Sequence, residues 1–415
     1  MKSTGPDPFP LIDQRGFLGL LGAGAAGLFA PGCSRAPEPG RYTEADIARL
    51  AQQRRDEAAA AGNGPFGRHV YQGYRGLAEL PWFEIDADGR LRCVADDFPR
   101  AIDFHCHFGM SMLFAPDVDL HATTPRVQHL LDCDATDAGC ELDLDIYING
   151  NFGDEELSCL KRDTILQALW GSRPSATQTI PNLLREMDAT RVERAVVLPI
   201  AFNFPFGDDM AARWTAAVAE AGAGNRLLVG GSVHPRDPDR IAQLRAQAAA
   251  GARVIKLHPT VQRFYPDGPE MAEIYATCQE LDLIVFFHAG RAGIEPESSH
   301  RYAMPRHYVA ALRDFPDLQF VLGHGGARDV DDMVAMATRF DNAWIGIHGQ
   351  GITSLAGIIE RTGGERMLFG TDWPWYHLAA TLAKVLITTE DRPDVRANIL
   401  RGNAEALLGL RAATA

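Results

Sequence analysis

The stretch RAIDFHCHFG at residues 100–109 combines an apolar run with two histidines that flank a cysteine. In an extended chain the side chains alternate between two faces, so His105 and His107 are expected on one face, and Phe104 and Cys106 on the other. Two histidines on one face of a strand are typical of half a metal site, although a packed core strand can carry the same residues. The choice depends on whether the rest of the chain supplies further ligands.

From about residue 100, short apolar runs alternate with Ala-, Leu- and Arg-rich stretches that favour helices. After the first run, the starts of the other seven follow one another at separations of 24 to 36 residues. Each separation has room for a strand, a helix and two short loops. Eight such units predict an α/β fold, the (β/α)8 TIM barrel, with parallel strands covered by helices. The runs are RAIDFH, ERAVVLPI, RLLVGGSVH, ARVIKLH, DLIVFFH, LQFVLGH, AWIGIH and RMLFGTD.

The chain ahead of the barrel begins with a leader. Lys2 and Arg15 precede an apolar run of small residues that ends at Gly32-Cys33, so residues 1–33 are predicted to be an export signal. Because the run is short and rich in glycine, it is not interpreted as a membrane-spanning helix. We expect an exported protein that is periplasmic or, where a lipid is attached to Cys33, anchored to a membrane outside the cytoplasm.

Residues 34–97 are interpreted as a linker and a small accessory to the barrel. The stretch EADIARLAQQRRDEAAAAG favours a helix, and WFEI and RLRCV bracket a turn at Asp88-Gly89, which predicts a hairpin. The barrel is predicted over residues 98–415. An insertion at about residues 108–181 separates its first two strands and is too long for a structureless loop. We expect this insertion to lie over the mouth of the barrel.

The insertion contains the acidic stretch DCDATDAGCELDLD, residues 132–145. Its carboxylates are of the kind that bind calcium, but Asp137 stands where a calcium loop needs glycine. We therefore expect a solvated acidic loop that a Cys133–Cys140 disulfide closes, a bond that an exported protein can keep.

The overall charge excludes one class of partner. The chain has 54 acidic residues against 40 lysines and arginines, a net charge of -14, and no basic run. Nucleic-acid binding requires clustered basic residues, so no nucleic-acid partner is expected. A small-molecule substrate is expected instead, and the sequence also allows a homo-oligomer.

Histidines concentrate where the predicted strands end. Reactive groups of TIM barrels lie at the carboxyl ends of the strands. Besides the pair in the first run, His288 ends the fifth run and Asp372 the eighth. Three imidazoles and a carboxylate suit zinc or another divalent ion of similar softness, with one position left for water. The strand-end residues are His105, His107, His234, His258, His288, His324, His348 and Asp372.

The motifs DFHCH, KLHP, FFHAG, GHGG, FGTDWP and GNAEALLG, over about residues 98–410, resemble the amidohydrolase superfamily. The resemblance is to the branch that contains aminocarboxymuconate-semialdehyde decarboxylase and related metal-dependent hydrolases. It implies one divalent ion, expected to be zinc, and a water activated by that ion. His324 would be the acid/base residue, and Asp372 would also accept the proton of the water. The implied ligands are His105, His107, His288 and Asp372.

Other polar residues near the strand ends leave alternatives open. Lys256 in KLHP is either an unmodified charge near the site or, if carbamylated, a bridge between two metals; we expect the former. His258 and His348 are candidate substrate contacts or hydrogen-bonded rim residues. Arg291 and Arg301, after the fifth run, are candidates to hold a substrate carboxylate, or are solvated loop charges.

Two reactions and one non-catalytic role fit these residues. We expect a hydrolase in which activated water attacks an ester, lactone or amide of a small molecule. The alternative is a non-oxidative decarboxylase, because the resembled branch includes carboxy-lyases. A third interpretation is an exported lipoprotein that only binds a ligand. The complete set of metal ligands and an acid/base residue argues against it, because binding alone does not require them.

Overall fold

Eight short parallel strands, each the first element of a βα unit, form the frame of the protein in a computed structural model. The model describes residues 42–111, 118–133, 140–204 and 209–410. The predicted export signal and Cys33 therefore lie outside the described residues. The chain divides into two compact units, residues 1–47 and 48–415. The first is described only over residues 42–47.

The strands β1 to β8 coincide with the eight predicted runs. β3 consists of two pieces that Gly230 separates. In chain order the strands are Ala101–Cys106, Val192–Val197, Leu227–Val229 with Gly231–Ser232, Val254–Leu257, Ile284–Phe287, Phe320–Leu322, Ala343–Gly346 and Met367–Leu368.

Backbone hydrogen bonds close the strands into a ring. The second piece of β3 pairs with β4, and the parallel pairing continues in order to β8, while β1, β2 and the first piece of β3 form the other arc. The two arcs meet at Gly230, whose N–H donates to the Val197 oxygen at 2.8 Å. On the far side the Phe104 N–H donates to the Phe369 oxygen at 2.8 Å, next to a parallel bridge between Cys106 and Trp373. The prediction of a (β/α)8 barrel is confirmed.

A helix follows every strand, as the separations of the runs require. The helix after β7 shows why: Ile352, Leu355, Ile358 and Ile359 recur at helical spacing and are buried. It ends at Gly363, which adopts a left-handed φ of 66° that glycine tolerates. The helices after β1 to β8 are Ile180–Ala189, Met210–Glu220, Arg240–Ala249, Met271–Glu280, Val309–Asp314, Val330–Arg339, Ile352–Thr362 and Leu378–Thr388.

Further short helices lie between and after these units. The α-helical ones are Pro259–Gln262, Pro393–Ala397 and Asn403–Leu407, and Asn398–Gly402 is a π-helix. The 3-10 helices are Arg75–Glu79, Ile148–Asn151, Ser175–Thr177, Glu297–Ala303, Pro305–His307 and Gly323–Gly326.

The accessory segment contains the elements expected of it. A helix spans Glu44–Ala60, and strands Phe83–Ile85 and Leu91–Cys93 pair as an antiparallel hairpin. A second pairing is not apparent from the sequence: Val70–Gln72 pairs with Glu141–Asp143 of the insertion. The accessory and the insertion are thus joined by a small sheet.

The insertion has structure of its own. A helix spans Asp154–Trp170, and Cys133 and Cys140 are joined in a disulfide with their Cα atoms 5.3 Å apart. Asp137 lies outside the described residues. In the part of the chain that the structure describes, no helix is long and apolar enough to cross a membrane.

Strand β1 departs from the alternation that the sequence predicts. Cys106 faces the shell as expected, where its Sγ donates to the Val196 oxygen. The expectation that Phe104 also faces the shell is wrong, because its ring packs in the barrel interior, 6.3 Å from the ring of Phe286. The reason is an irregularity in the pairing of β1 between Asp103 and Cys106. Such a bulge turns successive side chains to the same face.

Candidate metal centre

The two histidines of β1 converge with Asp372 inside the mouth of the barrel. His107 Nε2 lies 3.0 Å from His105 Nε2 and 3.3 Å from Asp372 Oδ1. His107 Nδ1 donates to the backbone oxygen of Leu198 at 2.6 Å. Such a bond fixes the tautomer and leaves the Nε2 lone pair free, as in metal-binding histidines.

The loop after β8 holds Asp372 in an uncommon backbone conformation. Its φ is 59°, and its N–H donates to the His105 oxygen at 2.7 Å. Left-handed backbone costs about 1 kcal/mol or more for a residue other than glycine and is concentrated at functional sites. The preceding Thr371 is tied to Asp103, whose Oδ1 accepts its N–H at 3.1 Å. Burial raises the pKa of the Asp103 carboxyl to about 7.

Lys256 of β4 points into the same group. Its Nζ lies 2.8 Å from His105 Nε2 and 4.6 Å from the ring centre of Phe286. Burial lowers the pKa of the Lys256 amine to about 7, against the opposing effect of Asp372. Lys256 therefore lies in direct contact with His105.

Four residues bring one ligand atom each within 4.8 Å of one another: His105, His324, His348 and Asp372. All four are buried. Burial, followed by the charges of neighbouring basic groups, lowers the pKa of each of the three imidazoles well below its usual range. Neutral imidazoles and an ionised carboxylate are the forms that bind a divalent ion. These four residues, called the metal group below, therefore fit a metal ion.

The predicted ligand set overlaps this group in His105 and Asp372, and His107 adjoins it. The predicted ligand His288 is not a member of this group, and its Nε2 lies 2.7 Å from Glu295 Oε1. Its ring centre is still only 4.3 Å from that of His324. His348, expected only as a weak substrate contact, is a member of the group, with Nε2 2.6 Å from His105 Nδ1.

The remaining predicted contacts lie in different surroundings. The His258 ring stacks on His288, with centres 3.9 Å apart. Arg291 is fully buried and its guanidinium binds both oxygens of Asp329, with Nε to Oδ2 at 2.8 Å. The alternative of a solvated loop charge is therefore wrong, whereas the role of Arg291 as a substrate contact stays a prediction. Arg301 Nε donates to the Ser298 oxygen within its own 3-10 helix, and no described hydrogen bond joins it to the metal group.

Sequence reasoning missed two residues that contact the predicted site. Glu295 accepts hydrogen bonds from the N–H groups of Ala292 and Gly293 besides its contact with His288. Tyr147 of the insertion has its hydroxyl 3.0 Å from His324 Nδ1. The only available signal for either was a polar residue in a loop near a strand end, which many other residues share.

Three comparisons bear on what this fold and site belong to. No curated protein matches the chain. An uncharacterised TIM-barrel protein from Bordetella bronchiseptica is 24% identical with a TM-score of 0.52, over 74% of this chain and 98% of its own. A 2,6-dihydroxybenzoate decarboxylase is 20% identical with a TM-score of 0.45, over 55% and 87%. A 5-carboxyvanillate decarboxylase from Sphingomonas paucimobilis is 18% identical with a TM-score of 0.47, over 75% and 99%.

The first of these likenesses supports the barrel fold alone. The family comparison goes further, because the model of the amidohydrolase family matches residues 102–410, from the second residue of β1 to the last described residue. That span contains every residue of the metal group. The chain belongs to the amidohydrolase family.

Proposed function

We propose that the chain is a metal-dependent carboxy-lyase that removes CO2 from a small carboxylic acid. The observation that carries the proposal is the charge of the metal group. Among the described residues, the imidazoles of His105, His107, His324 and His348 and the Lys256 amine lie around the carboxylate of Asp372. A second carboxylate, that of Glu295, contacts the neighbouring His288 at 2.7 Å. The two carboxylates would balance the two positive charges of an ion, and a protonated Lys256 adds a positive charge, so the site favours an anion over a neutral ester.

We propose that His105, His107 and Asp372 hold one zinc ion and that His288 completes the set. When bound there, the ion would supply Lewis-acid chemistry to the site. Lys256 remains unmodified and adds to the positive charge whenever it is protonated. A second ion would require carbamylation of Lys256.

His324 is the residue that donates the proton to the substrate. When the carbon–carboxyl bond breaks, its electron pair stays on the substrate carbon and CO2 leaves. That carbon then takes a proton from His324, which is reloaded from water. His324 suits this role because its Nδ1 is engaged by Tyr147 and its backbone is held in a left-handed conformation, φ 57°.

Hydrolysis is the second candidate, favoured by one observation. The Asp372 carboxylate lies at the centre of the group, 3.3 Å from His107 Nε2 and 3.6 Å from His105 Nε2. A carboxylate in that place can accept a proton from an attacking water. The substrate would be an ester, lactone or amide.

Isotope experiments separate the two reactions. The zinc-loaded protein is incubated with small aromatic and unsaturated acids, beginning with 2,6-dihydroxybenzoate and 5-carboxyvanillate. It is also incubated with esters and lactones. Decarboxylation releases CO2 and, in D2O, leaves one deuterium on the product carbon. Hydrolysis instead incorporates labelled oxygen from water. Asp372→Asn should abolish turnover, and His69→Gln, a histidine outside the metal group that contacts Tyr71, should not.

We further propose that the chain acts on its substrate outside the cytoplasm, either free or anchored by a lipid on Cys33. The support is the basic start and short apolar run of residues 1–33. Mass spectrometry of the mature chain tests this by its N-terminal residue and by any lipid on Cys33. An intact N-terminus at Met1 would contradict export.

A further inference from the structure

The insertion after β1 delivers a side chain to the proposed acid/base residue. Tyr147 is buried, and its hydroxyl lies 3.0 Å from His324 Nδ1 although 177 residues separate the two in the chain. The contact occupies the ring nitrogen that faces the insertion. It leaves Nε2 as the nitrogen through which His324 can act on a substrate.

The segment around Tyr147 is fixed to the loop that follows β7. The Ile148 N–H donates to the Gly349 oxygen at 2.9 Å, and the Ile352 N–H donates to the Leu144 oxygen at 3.0 Å. The Tyr147 ring lies so close to Gly349 that a Cβ there would be 2.7 Å from its Cε2 atom. His348 lies in this same loop, which follows Gly346, so the insertion is docked beside the metal group.

The accessory helix holds the same tyrosine from its other side. Glu57 Oε1 accepts the Tyr147 N–H at 2.6 Å, and Arg328 Nε donates to Glu57 Oε2 at 3.3 Å. The Arg328 guanidinium also lies over the Tyr147 ring, 5.2 Å from its centre. The side chains of Arg328 and Glu57 are mostly buried, and buried pairs of this kind constrain geometry strongly. Both the backbone and the ring of Tyr147 are therefore fixed.

We infer that Tyr147 is a positioning residue for His324, and that Glu57 fixes Tyr147 in that position. The inference rests on the proposed function, because it gives His324 the acid/base role. Tyr147 holds the imidazole in one orientation through Nδ1, with Nε2 directed to the substrate. The barrel alone then does not orient His324: Tyr147 of the insertion and Glu57 outside the barrel are also needed.

The kinetic test is Tyr147→Phe in the full-length, metal-loaded protein. This change keeps the ring against Gly349 and Arg328 and removes only the hydroxyl. Loss of a residue that orients a site imidazole typically lowers activity by about 10- to 100-fold. We expect that fall in kcat, with KM within about two-fold, because substrate binding is not affected. Glu57→Gln, which keeps an acceptor for the Tyr147 N–H, should give a smaller fall.

Tyr275→Phe is the matched control. Tyr275 is also a buried tyrosine with one hydrogen bond, from its hydroxyl to the Pro266 oxygen at 2.8 Å, but it lies outside the metal group. It should leave kcat unchanged. A kcat of Tyr147→Phe within two-fold of wild type would overturn the inference.

A readout that does not depend on turnover separates this inference from the proposed reaction. In nitrogen-15 histidine spectra of the metal-loaded protein, His324→Gln identifies the His324 ring signals. Tyr147→Phe should shift the Nδ1 signal of His324, and Tyr275→Phe should not. Unchanged His324 signals in Tyr147→Phe would overturn the inference even if kcat falls. If the wild type releases no CO2 from any acid, the proposed reaction fails, and these spectra alone decide the role of Tyr147.

Discussion

Gly349→Ala probes how tightly the insertion is docked on the barrel. Gly349 has a left-handed φ of 86°, and a Cβ at this position would lie 2.7 Å from Tyr147 Cε2 and 3.0 Å from its hydroxyl oxygen. A buried tyrosine fixed by Glu57 and Arg328 cannot retreat by the several tenths of an ångström that normal contact needs. The substitution therefore forces either the insertion or the loop after β7 to move.

The expected loss of stability has two parts. An alanine in left-handed backbone costs roughly 1–2 kcal/mol, and an added methyl in a filled space costs roughly 1–3 kcal/mol. Gly349→Ala should therefore lower the free energy of unfolding by about 2–5 kcal/mol. Gly363→Ala is the matched control, because Gly363 has a φ of 66° with no atom within 4 Å of its Cβ position. It should show the backbone cost alone.

The measurement is the midpoint and slope of urea unfolding for both variants, repeated in a Tyr147→Ala background. Removing the tyrosine ring removes the obstruction, so Gly349→Ala should then cost no more than Gly363→Ala. The coupling between Gly349 and Tyr147 is expected at about 1–3 kcal/mol. Equal costs of the two glycine substitutions in both backgrounds would refute the docked position of Tyr147.

Three further predictions concern other parts of the molecule. Burial alone would raise the pKa of Glu186, but the charges of His129 and His377 and hydrogen bonds lower it to about 2, so its stabilising effect is present above the usual carboxyl pKa and is lost as the pH falls toward 2. The difference in unfolding free energy between wild type and Glu186→Gln should therefore shrink by ~2 kcal/mol between pH 6 and pH 3, and a constant difference would contradict this. Replacing Cys133 and Cys140 by serine opens a loop with a separation of 7 residues and should cost roughly 2 kcal/mol in urea unfolding, whereas an unchanged midpoint would argue against the bond. Lys256→Met should raise KM for an anionic substrate by about 10- to 100-fold without changing the metal content, and an unchanged KM would remove Lys256 from substrate binding.

The fold was accessible from the sequence because its signal repeats. All eight apolar runs are strands. A parallel strand is buried on both faces, so its residues are mostly apolar up to its carboxyl end. The sequence also predicts that His105 and Asp372 lie close together, as they do, because the carboxyl ends of barrel strands meet at one mouth. The orientation of Phe104 was not predicted, because a bulge in β1 interrupts the alternation on which the prediction relied.

The surroundings of the metal group were much less accessible. Tyr147 contacts His324 across 177 residues and Glu57 across 90, and no local pattern marks such pairings. The sequence does not show that Arg291 is paired, because its partner Asp329 is 38 residues away in the chain. Contacts between loops depend on the three-dimensional arrangement of the units, and periodicity carries no information about them.

The most direct test of this account is the metal content per chain, measured by mass spectrometry on the purified protein and on a His105→Ala, Asp372→Ala double variant. The account predicts about one divalent ion per chain in the wild type and none in the variant. About two ions would instead indicate a carbamylated Lys256 that bridges them. A wild type that binds no ion, even after reconstitution with zinc or manganese, would contradict the central claim that these strand-end residues form a metal centre.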